Sequence, residues 1–311
     1  MIRTNITAIR IALVAGVMAT VFSSLPARGQ APAGQAPAAP AQPAQGRGGR
    51  GGRGQAPQVP QTAQARAPID LVGWWVSVVT EDWRWRMVTP AKGDYASVPI
   101  NVEGRRVADA WDPARDERDG KACSAYGVGA IMRVPGRLHI TWQGDDTLKI
   151  ETDAGTQTRL LHLAPPEESS TDVVLGQRAA TAPVPAGEQS WQGYSVAAWD
   201  ILNPAARGNP LGGAGPTPAA TGPPVRRYGS LKVVTTKMKP GYLRKNGVPY
   251  SENATVSEYV DRHGEPNGDQ WLTVTTLVDD PKYLNQTFIT SSHLKKEPDG
   301  SKWRPTPCAA Q

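Results

Sequence analysis

Three short runs of alternating residues, joined by tight turns, constrain the fold of this chain more than any other feature. They occupy residues 137–163, where RLHITW, TLKIET and TQTRLLHL are separated by QGDD and DAG. Alternation of apolar and polar residues is typical of strands that bury one face, and turns this short join antiparallel neighbours. The segment therefore predicts a β-meander. Its apolar face consists of Leu138, Ile140, Trp142, Leu148 and Ile150.

Further strand patterns lie on both sides of this meander. The apolar run at residues 71–79 leads into DWRWRMV at residues 82–88, where large apolar and charged residues alternate, so both runs are predicted to be strands. The other predicted strands span residues 190–200, 230–237, 254–262, 270–278 and 287–295. Residues 102–111, which Asp112 and Pro113 follow, are the one stretch with a helical pattern.

The strands fall into two groups, and neither group is large enough to close on itself. Each offers about four or five strands, whereas a single barrel that uses both groups leaves no exposed sheet edge. We therefore predict an all-β fold for residues 69–311, a single antiparallel barrel of about 8–10 strands with one short helix. The Pro-, Ala- and Gly-rich stretches at residues 164–189 and 203–224 are predicted to be loop insertions.

The first 69 residues differ in charge from the rest of the chain. They contain seven of the 34 basic residues, all arginine, and no acidic residue, so 27 basic residues remain against 28 acidic ones. The predicted barrel is therefore nearly neutral, which argues against nucleic acid as its partner. No glycine loop of the kind that cradles phosphates precedes a helix, which argues against nucleotide chemistry.

The N-terminus has the pattern of a secretory signal peptide. Arg3 and Arg10 precede the apolar run at residues 11–22, and small residues follow this run up to Gly29. The run is shorter than the roughly 20 residues of a transmembrane helix. We therefore predict a signal peptide at residues 1–29, a mature protein without a membrane span, and a periplasmic or secreted location.

Residues 30–68 consist almost entirely of Ala, Pro, Gln, Gly and Arg. Such a segment has too little apolar surface to offset the entropy of ordering its backbone, so it is predicted to be a disordered linker. GRGGRGGRG at residues 46–54 resembles the RGG boxes of RNA-binding proteins. In an exported chain it is either a solvated spacer or an arm that makes weak, salt-sensitive contacts with anionic surface polymers.

Two resemblances extend this interpretation. Gly73, Trp74 and Trp75 form a G-x-W that resembles the entry strand of lipocalin and calycin barrels, in which the tryptophan plugs the closed end; this implies a lipocalin-like barrel. Residues 71–308 also resemble a set of exported proteins of acidobacteria and proteobacteria. The matching segments are SWQGYSVAAWD, LKVVTTKMKPGYLRKNGVPYSENATVSEYVDR, WLTVTTLVDDPKYLNQTFI and the terminal Cys308. In many of these relatives a histidine stands at the position of Tyr194, and the resemblance implies no activity.

The chain has two cysteines, Cys123 and Cys308. An even pair in an exported protein predicts a disulfide. In the chain-entropy model, closing so long a loop stabilises the fold by up to about 5 kcal/mol. The alternatives are a pair of reactive thiols or metal ligation.

The histidines are the candidates for metal binding and acid–base catalysis. All four lie in or beside predicted strands: His139, His162, His263 and His293. Their spacing matches neither H-x-H nor H-E-x-x-H, so we predict no bound metal and no other cofactor. The alternatives are a metal held by three histidines with Glu151 or Glu258, and an acid–base pair formed by His139 and Glu151 inside the barrel.

Tryptophan is unusually common, with ten residues against two phenylalanines. Indole and guanidinium groups together suit flat or anionic ligands through stacking and cation–π contacts. The sequence therefore predicts a ligand site with an apolar wall of tryptophans and a polar arginine handle. Its predicted residues are Trp83, Arg84, Trp85, Arg86 and Trp142. The alternative is that the indoles only fill the barrel core.

These patterns lead to three functional hypotheses. The first is a lipocalin-like barrel that binds a small hydrophobic or aromatic molecule. The second is a barrel hydrolase, isomerase or cyclase that uses the interior pair of His139 and Glu151. The third is a structural, envelope-associated protein whose cationic arm contacts anionic polymers.

Overall fold

The structure is a computed structural model that describes residues 62–165, 172–181, 189–202 and 228–310. The predicted signal peptide, nearly all of the predicted linker with its arginine-rich arm, and the insertion at residues 203–224 lie outside these ranges. The strands are β1 (Gly73–Val78), β2 (Arg137–Trp142), β3 (Thr147–Thr152), β4 (Thr158–Leu163), β5 (Tyr194–Leu202), β6 (Tyr228–Thr236), β7 (Gly241–Arg244), β8 (Val248–Tyr250), β9 (Thr255–Gly264), β10 (Gln270–Asp279) and β11 (Phe288–Glu297). The helices are α1 (Ala63–Arg66), α2 (Trp83–Arg86), α3 (Val102–Asp109), α4 (Pro113–Arg118) and α5 (Asp172–Thr181).

Nine strands form a closed barrel in the order β1-β11-β10-β9-β6-β5-β4-β3-β2, and β7 and β8 form a separate hairpin. The prediction of an all-β fold with a single barrel is therefore confirmed. The predicted meander is confirmed as β2, β3 and β4, with Ile140 opposite Ile150 as the alternation requires. The predicted short helix is α3, where the Asn101 side chain accepts a hydrogen bond from the Gly104 N–H at 2.8 Å.

One strand pair is parallel, where the sequence predicted an antiparallel barrel throughout. β4 and β5 run in the same direction, with Leu161 opposite Ser195. Parallel neighbours need a crossover connection, and α5 lies in this connection, in the stretch that was predicted to be a loop insertion. The buried residues Leu175 and Ala179 of α5 pack against Val196 and neighbouring residues on the outside of β5 and β6. The crossover helix therefore covers part of the barrel wall.

The prediction of a strand at residues 82–88 is wrong. These residues begin with the one-turn helix α2, and Asp82 before it has a left-handed φ of 52° that ends the extended backbone. The physical reason is that β1 already pairs with both β11 and β2. Because every barrel strand has two neighbours, no strand edge is available for the alternating WRWR run.

A segment of the expected linker packs on the barrel as α1. Ala63 is fully buried. Its N–H donates to Asp146 Oδ1 at 2.7 Å, and its carbonyl accepts from Trp199 Nε1 at 3.0 Å. These bonds connect α1 to the turn between β2 and β3 and to β5.

One half of the barrel interior is an apolar core. The side chains that line it include Leu138, Ile140, Leu148, Leu161 and Leu272, and they leave a cavity of about 20 Å³. Small-molecule sites are at least about 300 Å³, so this half of the barrel is filled by its own side chains. Trp75 of the G-x-W is fully buried in the same cluster, with its indole N–H donated to the Leu71 carbonyl at 3.0 Å.

The other half contains a buried polar layer. Along the inward face of β9, Glu258 lies between Val260 of the apolar core and Val256 of a second apolar cluster. Glu258 forms an ion pair with Arg159 of β4, and both side chains are at most 4% exposed. The second cluster, which includes Tyr250 of β8, covers this layer on the side of the β7–β8 hairpin. In the described residues, no helix has the length and apolarity needed to cross a membrane.

Candidate functional site

A cavity of about 330 Å³ lies between α2, the segment that leads into β2, and the β7–β8 hairpin. This volume is within the range of small-molecule sites. Among the described residues that line it, four side chains are basic and none is acidic. We call it the cationic pocket, and its main polar residues are Trp85, Arg86, Arg133, Arg244 and Lys245.

Two of these arginines have carboxylate partners. Arg86 turns its side chain into the protein, where it forms an ion pair with Glu81 and donates to Ser77 Oγ at 3.1 Å. Arg133, which ends a 3-10 turn before β2, donates from Nη1 to Asp82 Oδ2 at 2.9 Å. The charges of Arg86 and Arg133 are therefore compensated within the protein.

Arg244 has no such partner. It is 3% exposed, and its Nη1 donates to the Ala96 carbonyl at 2.7 Å, but no carboxylate of the described residues lies within 4 Å. Its guanidinium carbon lies 4.8 Å from the ring centre of Trp85. Burial, with the repulsion of Arg133, lowers the pKa of Arg244 to about 10, against the opposing attraction of Asp82 and Asp94, which lie too far away to form an ion pair. The side chain is therefore still charged at neutral pH.

Three guanidinium nitrogens at this cavity lack a hydrogen-bond acceptor among the described residues. Nε and Nη2 of Arg244 and Nη2 of Arg133 are buried, and none has a hydrogen-bond partner within the described part of the chain. A buried donor without an acceptor costs about 1–3 kcal/mol, more when it is charged. The cationic pocket therefore favours a group that brings both negative charge and acceptor oxygens.

The predicted ligand residues do not form one wall. Trp85 and Arg86 line the cationic pocket, but Trp83 is 66% exposed and Arg84 points to the surface, where it pairs with Asp94 at 2.8 Å. Trp142 packs against the apolar core at the end of β2. Only two of the five predicted residues therefore meet at this cavity.

Sequence reasoning missed Arg133, Arg244 and Lys245. A signal for the last two was present, because the Asn246-Gly247 pair between two extended runs predicts a hairpin turn, which places Arg244 and Lys245 at a hairpin tip. Arg133 carries no comparable signal, since its place at the cavity depends on how the chain enters β2.

A second cavity, of about 340 Å³, opens beside the start of β4 and β5. His162 and Tyr194 stack on its wall, with ring centres 4.8 Å apart and ring planes 19° from parallel. Burial lowers the pKa of His162, so the neutral imidazole is favoured. We call this cavity the stacked-ring pocket; its lining also includes Arg159, Gln192 and Lys237.

His139 and Glu151 do meet, as neighbouring strands were expected to bring them together. His139 Nδ1 lies 3.3 Å from Glu151 Oε2, and Lys149 Nζ lies 3.0 Å from the same oxygen. However, they alternate with the inward Leu138 and Ile150 and so lie on the outside of the barrel. The acid–base hypothesis required an interior pair, and this arrangement gives it no support.

His263 and His293 have different carboxylate neighbours. His293 Nδ1 lies 2.9 Å from Glu81 Oε2, and His263 Nε2 lies 4.0 Å from Glu265 Oε1. The described residues contain no group of three or more His, Cys, Asp and Glu side chains that could hold a metal ion.

The sulfur atoms of Cys123 and Cys308 lie at disulfide-bonding distance, with Cα atoms 5.0 Å apart across 185 residues of sequence. Gln157 Nε2 lies 3.5 Å from Cys308 Sγ. The bond connects the 3-10 segment Ala122–Tyr126 to the C-terminal segment, and Thr306 of that segment lines the cationic pocket. The predicted cysteine pair therefore fixes part of the wall of this pocket.

Comparison with known proteins gave no significant match to a protein-family model, a curated protein or a solved structure. The resemblance to lipocalins and to exported bacterial proteins therefore stays a prediction. Lipocalins are eight-stranded up-and-down barrels, whereas this barrel has nine strands and one parallel pair.

Proposed function

We propose that the protein binds a small organic carboxylate with an apolar or aromatic body in the cationic pocket. One observation carries this proposal: Arg244 is a buried cation without a carboxylate partner, on the wall of a cavity of about 330 Å³. A planar guanidinium binds a carboxylate through two parallel hydrogen bonds, and such charge-assisted bonds are stronger than neutral ones. The carboxylate would supply a directly paired negative charge and the missing acceptors.

The rest of the wall suits an apolar body. Val134, Pro135 and Leu243 line the cavity beside the arginines, and Met87 and Val88 lie at its exposed side. A flat ring could also stack on a guanidinium plane in the way that Trp85 already does. The proposal keeps the aromatic or hydrophobic ligand that the sequence predicted but places it beside the barrel end, because the apolar half of the interior has only about 20 Å³ of free volume.

We further propose that the protein acts in the periplasm or outside the cell and is lipocalin-like in using a barrel as a rigid support for a small-molecule site. The signal-peptide pattern supports the location, and so does the cysteine pair, because disulfides persist in oxidising compartments. The G-x-W tryptophan in the apolar core supports the comparison with lipocalins.

Isothermal titration calorimetry with three probes tests the ligand proposal. Benzoate combines ring and charge, benzyl alcohol has the ring alone, and acetate has the charge alone. We expect benzoate to bind more tightly than either partial probe. Arg244→Met should weaken benzoate binding at least about tenfold, because a hydrogen bond to a charged group contributes about 1.5–3 kcal/mol.

The matched control is Arg106→Met. Arg106 lies on α3, is 69% exposed at its side chain and pairs with Glu103 at the surface. This variant should bind benzoate as the unaltered protein does. Equal affinities for benzoate and benzyl alcohol, or an equal loss in both arginine variants, would contradict the proposal.

A further inference from the structure

The stacked-ring pocket lies where β4 and β5 separate. Their parallel pairing begins at Leu161 opposite Ser195, so the first residues of β4, Thr158 and Arg159, extend beyond the paired part and line the cavity. The pocket shares no lining residue with the cationic pocket. An inference about its ligand is therefore independent of the function proposed above.

The strongest charge at this pocket is already balanced. Arg159 forms its ion pair with Glu258 and also donates to Ser195 Oγ at 3.1 Å and to Thr235 Oγ1 at 2.8 Å. Lys237 is the other basic residue of the described lining. Because the arginine has its counter-charge and several acceptors inside the barrel, the pocket has much less need of an anion than the cationic pocket has.

Two features of the wall indicate what kind of ligand this pocket can bind. The first is the flat, half-buried surface formed by the stacked rings of His162 and Tyr194. The second is Gln192, which is 6% exposed. Its Nε2 donates to the Tyr126 carbonyl at 2.7 Å and to Gln157 Oε1 at 3.2 Å, while its own Oε1 is buried without a partner among the described residues.

A sugar ring has the chemistry that matches both features. Its C–H groups form an apolar face that packs against an aromatic ring, and its hydroxyl groups donate to acceptors such as an amide oxygen. Ser190 and Thr158 add hydroxyl groups at the exposed rim. The cavity of about 340 Å³ is at the lower end of the range for small-molecule sites, which fits one or two rings.

We propose that the stacked-ring pocket is a second binding site, which takes a neutral sugar. The sugar ring stacks against Tyr194, and one of its hydroxyl groups donates a hydrogen bond to Gln192 Oε1. The protein then has two sites of different chemistry: one for an organic anion and one for an uncharged polyhydroxylated ring.

Saturation-transfer NMR on the purified full chain tests this inference with glucose, galactose and N-acetylglucosamine as the probes. We expect ring protons of at least one sugar to receive saturation from the protein. Tyr194→Leu should weaken binding of that sugar about two- to tenfold. This fold-change corresponds to the loss of an aromatic contact that contributes about 0.5–1.5 kcal/mol. Tyr283→Leu, which alters a half-buried tyrosine outside both pockets, should leave binding unchanged.

Arg244→Met separates this site from the cationic pocket and should also leave sugar binding unchanged. If Tyr194→Leu does not fold, His162→Gln takes its place, with the same expected loss. Absence of transfer to all three sugars would overturn the inference, and so would a sugar affinity that the Tyr194 or His162 change leaves unaltered. Loss of sugar binding in Arg244→Met would assign the sugar to the cationic pocket instead.

Discussion

Two buried arginines, Arg159 in the barrel and Arg244 in the cationic pocket, have opposite surroundings. Arg159 has Glu258, Ser195 and Thr235 as partners, all within the barrel. Arg244 has one backbone carbonyl and the face of Trp85. Burial of an arginine alone therefore does not identify a ligand site. A buried charge that is paired within the protein is part of the structure of the fold. A buried charge without an ion-pair partner, on the wall of a cavity, indicates where a ligand can supply the opposite charge.

The largest expected effect comes from breaking the compensated pair. Arg159→Met leaves Glu258 as an unpaired buried carboxylate, so we expect the free energy of unfolding to fall by about 3–5 kcal/mol. Glu258→Leu should cost about as much, because it leaves Arg159 unpaired. Urea unfolding of both variants measures these losses.

The double variant Arg159→Met/Glu258→Leu is the control, since it removes both charges. We expect it to be more stable than either single variant. A double variant that loses the sum of the two single effects would show that the pair does not act as a unit.

The next effect concerns the disulfide that fixes one wall of the cationic pocket. Replacing both cysteines, Cys123→Ser with Cys308→Ser, should lower the free energy of unfolding by about 2–4 kcal/mol, because the unfolded chain is no longer cross-linked across 185 residues. Benzoate binding should weaken as well, since Thr306 lines the pocket. An unchanged affinity for benzoate in the double variant would contradict this role of the disulfide.

Arg244→Met should have a much smaller effect on stability than Arg159→Met. It removes a buried cation that has no carboxylate within ion-pair distance among the described residues. We therefore expect the free energy of unfolding to fall by no more than about 1 kcal/mol, or to increase. The same urea titrations measure this variant. A loss of several kcal/mol would mean that Arg244 stabilises the fold as Arg159 does, and the contrast between the two arginines would disappear.

The smallest expected effect is a pH dependence at the stacked-ring pocket. Burial lowers the pKa of His162, so the unfolded chain binds this proton at a higher pH than the folded protein does. The corresponding stability is present above the unfolded pKa of about 6.5 and is lost as the pH falls towards the folded pKa.

We therefore expect the unaltered protein to lose more stability than His162→Phe between about pH 7.5 and about pH 5. Urea unfolding at the two pH values checks this. Equal losses in the two proteins would mean that protonation of His162 is not linked to folding.

Local patterns in the sequence were enough to predict the barrel but not every element in it. The meander followed from alternation in residues 137–163, because strands that bury one face repeat every two residues. The same rule failed at residues 82–88, since whether an alternating run pairs as a strand depends on a free sheet edge elsewhere. The parallel β4–β5 pair was missed because its cause, the crossover helix α5, has a weak pattern within a Pro- and Ala-rich stretch.

The candidate site was predictable only where its residues are neighbours in sequence. Trp85 and Arg86 were identified together from a single run of letters. Arg133 and Arg244 reach the same cavity from segments more than a hundred residues apart, and nothing in the sequence shows that Arg244 lacks a carboxylate while Arg159 has one. Charge compensation is a property of the tertiary structure, so the distinction between the two arginines required it.

The pairing of β1 with β11 also determines the order in which this protein can fold. The strands β2 to β4, and likewise β9 to β11, follow one another through short connections, the longest of which is residues 280–287, so their contacts form at low cost in chain entropy. The β1–β11 seam, where Val76 lies opposite Lys295, joins the two ends of the barrel sequence and has the highest contact order of any strand pair in it. We expect this seam to be the last part of the barrel to close, and until it does, both strands expose unpaired edges that another chain can bind.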